Sequence, residues 1–77
     1  MFHYAICNVV DRDVFIKQCL ALENNIPNLK KLDLLRDVDD SETQIYELDG
    51  HKLFVHNSYY IGTVYVNSEI ELSHYFA

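Results

Sequence analysis

Seventy-seven residues leave room for one compact domain spanning 1–77, and a net charge of −6 opposes the phosphate neutralisation that a direct nucleic-acid reader needs. Hydrophobic residues make up 49% of the chain, with two glycines and one proline, a composition that excludes a disordered or low-complexity chain. The longest apolar run falls far short of the roughly 20 residues of a membrane span, and Met1-Phe2-His3-Tyr4 lacks the basic start of a signal peptide, so a cytosolic protein without membrane contact is expected.

Phe2, Tyr4 and Ile6 fall on one parity and His3, Ala5 and Cys7 on the other, which predicts a strand over residues 2 to 9. Both of its faces are fairly apolar, as expected of a strand interior to a sheet. Asp11-Arg12-Asp13 supplies a capping carboxylate and a second acid for a first turn, so a helix is expected to begin there. Phe15, Cys19, Leu22 and Ile26 form its narrow apolar stripe, Ile16 and Leu20 widen that stripe on one side, and Asp13, Lys17 and Asn24 lie opposite. Asn24-Asn25 tolerates a left-handed turn and Pro27 disfavours helical geometry at Ile26, placing the helix end at 24 or 25.

Leu32, Leu34 and Leu35 mixed with Lys31, Asp33 and Arg36 predict a strand from about 31 to 37, followed by a polar turn at Asp39-Asp40-Ser41-Glu42. Thr43 to Leu48 and His51 to Asn57 flank Asp49-Gly50, the signature of a two-residue type I′ hairpin. That turn sets Leu48 opposite His51, Glu47 opposite Lys52, Tyr46 opposite Leu53, Ile45 opposite Phe54 and Gln44 opposite Val55, with Tyr46, Leu48, Leu53 and Val55 towards the core. Ile45 and Phe54 then face the other side. A further strand is expected over 61 to 67, pairing with 51 to 57, and a short one over 69 to 73 that buries Ile70 and Leu72, before a tail at His74-Tyr75-Phe76-Ala77. The expected class is α+β, with one amphipathic helix on a curled, mainly antiparallel sheet of four to five strands in the order β-α-β-β-β-β.

Four histidines invite a search for a metal site, because imidazole is a common transition-metal ligand. His51 and His56, five positions apart, point to opposite faces of a regular strand, and His3 and His74 meet only if the terminal segments pair. Asp37, Asp39 and Ser41 resemble the start of a calcium loop, but Glu42 stands where that loop wants glycine and Leu48 where it wants a bidentate glutamate. Cys7 and Cys19 read as reduced thiols rather than a disulfide framework. With Ser58 and Ser68 they are the candidate nucleophiles, and none lies in a glycine-rich elbow. Gly50 and Gly62 do not make a phosphate-cradling loop. The expectation is a protein without cofactor, metal or catalytic activity.

Charge is unevenly spread: residues 1 to 31 carry +1 and residues 32 to 77 carry −7. Between Asp33 and Asp49 seven acids accompany a single basic residue, Arg36, with tyrosines interspersed through the same half. Acids speed encounter with a basic partner and tyrosines supply contact area at small entropic cost. The expected function is therefore a small acidic protein-interaction module, of the inhibitor, immunity or antitoxin type or a regulator encoded by a phage or mobile element. It would dock onto a basic protein surface through Asp37, Asp39, Asp40, Glu42, Tyr59 and Tyr60. Nucleic-acid mimicry is a variant that needs the acids from Asp33 to Asp49 displayed as a row. The alternative is an assembly protein that self-associates through Ile45 and Phe54 on the outer sheet face, so that monomer and homodimer are both open.

Overall fold

A computed structural model describes residues 1–76, without the side chains of His74 and Phe76. Asp49 and Gly50 turn the chain through positive φ angles of 51° and 84°, joining β3 (Glu42–Leu48) to β4 (His51–Ser58). Every cross-strand pair expected of that hairpin is present, from Leu48 opposite His51 to Gln44 opposite Val55. A Cβ added at Gly50 would meet nothing within 4 Å, so the turn needs glycine for its backbone angle and not for space. Gly50→Val is accordingly expected to destabilise the domain by about 1 to 3 kcal/mol in urea unfolding. A variant as stable as the parent would refute the requirement for the left-handed backbone there.

The hairpin is the middle of a five-stranded, open, wholly antiparallel sheet. β1 (Phe2–Cys7) and β5 (Thr63–Ser68) extend it on one side and β2 (Lys30–Arg36) on the other, giving the order β1-β5-β4-β3-β2. The expected interior position of β1 is thus corrected, since β1 is an edge strand. Its apolar character on both parities has another cause: the register shifts between Ala5 and Cys7, so Tyr4, Ile6 and Cys7 all pack against the core.

The helix α1 (Arg12–Asn25) forms where its caps predict. Asp11 Oδ1 accepts the N–H groups of Asp13 and Val14 at 2.9 and 3.2 Å. Ile26 is extended (φ −106°, ψ 109°), as the following Pro27 demands, and the left-handed residue is Asn28, beyond the helix, rather than Asn24 or Asn25. α1 packs chiefly on β4. Phe15, Cys19, Leu22 and Ile26 meet Tyr46, Leu48, Leu53, Val55, Val64 and Val66 in one core. The Tyr46 hydroxyl, buried in that core, donates to Glu23 Oε2 at 2.6 Å, and burial first, with this bond, pushes its pKa well above the ordinary phenol value.

Residues 69 to 72 do not form the expected short strand. β5 is already flanked by β1 and β4, so the segment has no margin of β5 to fold back along. It crosses the inner face instead, burying Leu72, whose N–H donates to the Tyr4 hydroxyl at 2.6 Å, and ends in the single turn α2 (Ser73–Phe76). The condition under which His74 would meet His3 concerns a side chain outside those described, and the tail residue Ala77 also lies outside the described residues.

Candidate functional site

The antiparallel order carries the β2–β3 turn, the β4–β5 turn and the start of α1 to one end of the sheet, called here the loop end. Four hydrogen bonds shape the β2–β3 turn: the Asp37 N–H donates to Ser41 O at 2.8 Å, the Asp40 N–H to Asp37 O at 3.1 Å, the Val38 N–H to Asp37 Oδ1 at 2.7 Å and the Ser41 N–H to Asp39 Oδ1 at 3.0 Å. The Ser41 amide, then its hydroxyl, hold the Asp39 carboxyl below the usual carboxylate range, so it stays ionised. Asp40 closes the turn at a φ of 68°, which a short polar side chain tolerates. The β4–β5 turn is fastened by Gly62 N–H to Ser58 O at 2.7 Å, and the two turns are tied together by Tyr59 N–H donating to Ser41 Oγ at 2.8 Å.

Five of the six residues singled out from sequence are exposed at this end: Asp37, Asp39, Asp40, Tyr59 and Tyr60. Val9, Val38 and Ile61 are exposed on the same end, an apolar contribution that the sequence reading overlooked. Glu42 differs. It is 3% exposed on the helix side of β3, where Oε1 accepts from Arg12 Nε at 3.0 Å and Oε2 from Arg36 Nη2 at 3.1 Å. Burial alone would raise its pKa, but the bonds from Arg36 and Arg12 outweigh that and hold it below the ordinary range. The signal was available: Glu42 shares the parity of Gln44, Tyr46 and Leu48, which is the core face. Arg12, Arg36, Asp40, Glu42, Asn57 and Tyr59 line a shallow cleft of about 220 Å³ between helix start and turns.

The remaining acids are scattered. Asp49 lies at the hairpin tip, at the opposite end, and Glu47 near it is paired with Lys52 at 2.9 Å and Lys30 at 3.8 Å. The acids from Asp33 to Asp49 therefore do not run as one row. Ser58 Oγ and Ser68 Oγ accept turn amides from Ile61 and Ile70, and burial raises the pKa of the Cys19 thiol. Among the described residues, no three His, Cys, Asp or Glu side chains gather as a metal site, and no helix is long and apolar enough to cross a membrane.

The outer sheet face carries Ile45 opposite Phe54 and a run of stacked rings. His56 lies 4.5 Å from Tyr65 and His3 lies 5.0 Å from Tyr65, between ring centroids. Thr43 Oγ1 and His56 Nδ1 are hydrogen-bonded at 2.9 Å, and burial, with a smaller contribution from the nearby His3, lowers the His56 pKa. Apart from the exposed His3 these side chains are half-buried, and no described element lies over them. Comparisons with protein-family models, curated proteins and solved structures found no match to this chain.

Proposed function

We propose that this chain is a small protein-interaction module that docks onto a basic protein surface through its loop end. The observation that carries this reading is the shared rim: exposed carboxylates of Asp37, Asp39 and Asp40 beside exposed Val38, Tyr59, Tyr60 and Ile61. Carboxylates steer a cationic partner into encounter, and the aromatic and aliphatic tips supply the desolvated contact that slows its departure. Inhibition follows where the basic surface so covered is the partner's own binding site. Affinity capture from the native host with mass spectrometry identifies the partner. Surface plasmon resonance then tests the mechanism. Replacing Asp37, Asp39 and Asp40 together by Asn keeps oxygens that accept the turn amides, so stability should barely change while association slows and loses its salt dependence. Tyr60→Ala should mainly hasten dissociation. Association unchanged by the triple substitution at every salt concentration would remove the acids from the mechanism.

Self-association through the outer face is the second reading, favoured by Ile45, Phe54, His56 and Tyr65 lying half-buried without a covering element among those described. Sedimentation separates the two, because a tight dimer abolished by Phe54→Lys supports assembly and a concentration-independent monomer supports docking.

A further inference from the structure

α1 lies chiefly over β4, so the side of its stripe made by Ile16 and Leu20 overhangs the β2 edge instead of entering the core. On the sheet, pairing with Tyr46, Gln44 and Glu42 sets Lys31, Leu34 and Arg36 of β2 on this same inner face. Leu34 and Leu20 are each 50% exposed and, with Ile16, flank a groove of about 140 Å³ whose lining also includes Phe15 and Cys19. Gln44 Nε2 donates to Leu32 O and Asp33 O at 2.9 and 3.3 Å, fixing the irregular stretch of β2 beside the groove. β2 is last in the sheet order, and no described strand pairs with its outer margin. Its backbone groups there are a template for one more strand.

The charge around this groove opposes that of the whole chain. Arg12 and Lys31 line it and Arg36 stands beside them on the same face, with side chains 58 to 59% exposed, while Lys30 of β2 lies on the outer face opposite Glu47. These three cations meet only two carboxylates, Glu42 and Glu23, both set deeper, and Asp33 is the one exposed acid of β2. A second copy fits poorly, since antiparallel β2 strands centred on Asp33 would put Asp33 against itself and Lys30 against Arg36.

We propose that the β2 edge and the groove between β2 and α1 bind an extended acidic peptide by strand addition. Its backbone pairs with β2, alternate apolar side chains fill the space between Leu34, Ile16 and Leu20, and its carboxylates meet Lys31 and the Arg12–Arg36 pair that buried Glu42 orients on the inner face and Lys30 on the outer. This site adjoins the loop end at the Arg12–Arg36 pair, but its argument does not depend on the loop-end reading.

The probe is a random peptide library displayed on phage, each peptide of about 12 residues and so longer than the seven of β2. Selection against the immobilised protein in low salt should enrich sequences that alternate apolar and acidic residues. The best peptide should shift the backbone amide resonances of Lys30–Arg36 and the methyls of Ile16 and Leu20. Methylating alternate peptide nitrogens should weaken binding roughly tenfold, as removing strand hydrogen bonds requires. Leu34→Lys should do the same without altering the melting curve, and Lys30→Glu with Lys31→Glu should flatten the salt dependence even if Leu34→Lys proves unstable. No enrichment, a basic consensus, shifts centred on the loop end or outer face, or indifference to nitrogen methylation would each overturn the proposal.

Discussion

Leu22→Ala and Phe15→Ala are each expected to lower the free energy of unfolding by about 2 to 5 kcal/mol in urea denaturation, through lost apolar burial and the cavity left behind. Both side chains are buried against Tyr46, Leu53 and Val55, and α1 is the long element that covers the inner sheet face. A domain of this size typically has about 5 to 15 kcal/mol of stability in all, so either change removes a large share. Ile16→Ala and Leu20→Ala are the internal controls. Both residues lie on the same helix but face the groove, and each should cost under about 1 kcal/mol. If all four variants unfold at the parent's midpoint, the Phe15 to Ile26 stripe is not what holds the helix to the sheet.

That contrast within one helix shows where sequence patterning stops being informative. The 3.6-residue period identifies an apolar stripe but cannot say which strand it lies over, so Ile16 and Leu20 read as a wider core when they overhang an edge. The hairpin was legible to the residue because Asp49-Gly50 fixes two dihedral angles locally and period-two alternation does the rest. The place of β1 was not, because sheet order is decided by contacts far apart in sequence, and because the shift between Ala5 and Cys7 hides the alternation that marks an edge. Residues 69 to 72 show the same limit. Alternation marks Ile70 and Leu72 as turned inward, as they are, yet it does not distinguish a strand from an extended segment crossing the core with no partner strand. At the loop end, Tyr59 and the β2–β3 acids belong to segments far apart in the chain, and it is the antiparallel topology that makes them neighbours.

Glu42 offers the second large effect, and one with a distinct pH signature. It is a buried carboxylate between two guanidiniums that are 58% and 59% exposed. Glu42→Gln keeps the volume and one acceptor but leaves Arg12 and Arg36 side by side without their shared counter-charge. Removing one member of a buried ion pair costs about 3 to 5 kcal/mol, and solvent on the arginine side scales this down to about 1 to 3 kcal/mol at neutral pH. Because the folded pKa of Glu42 lies below its ordinary 4.5, its charge contributes stability that is complete above that value and is lost as pH falls through the lower folded value. Asp39 and Glu47 are also held low, but they titrate in parent and variant alike and cancel from the difference. The gap between parent and Glu42→Gln in urea denaturation should therefore be widest at neutral pH and close progressively below pH 4.5. A gap that stays constant from neutral to acidic pH would mean that packing, not the charge between the two arginines, is what Glu42 supplies.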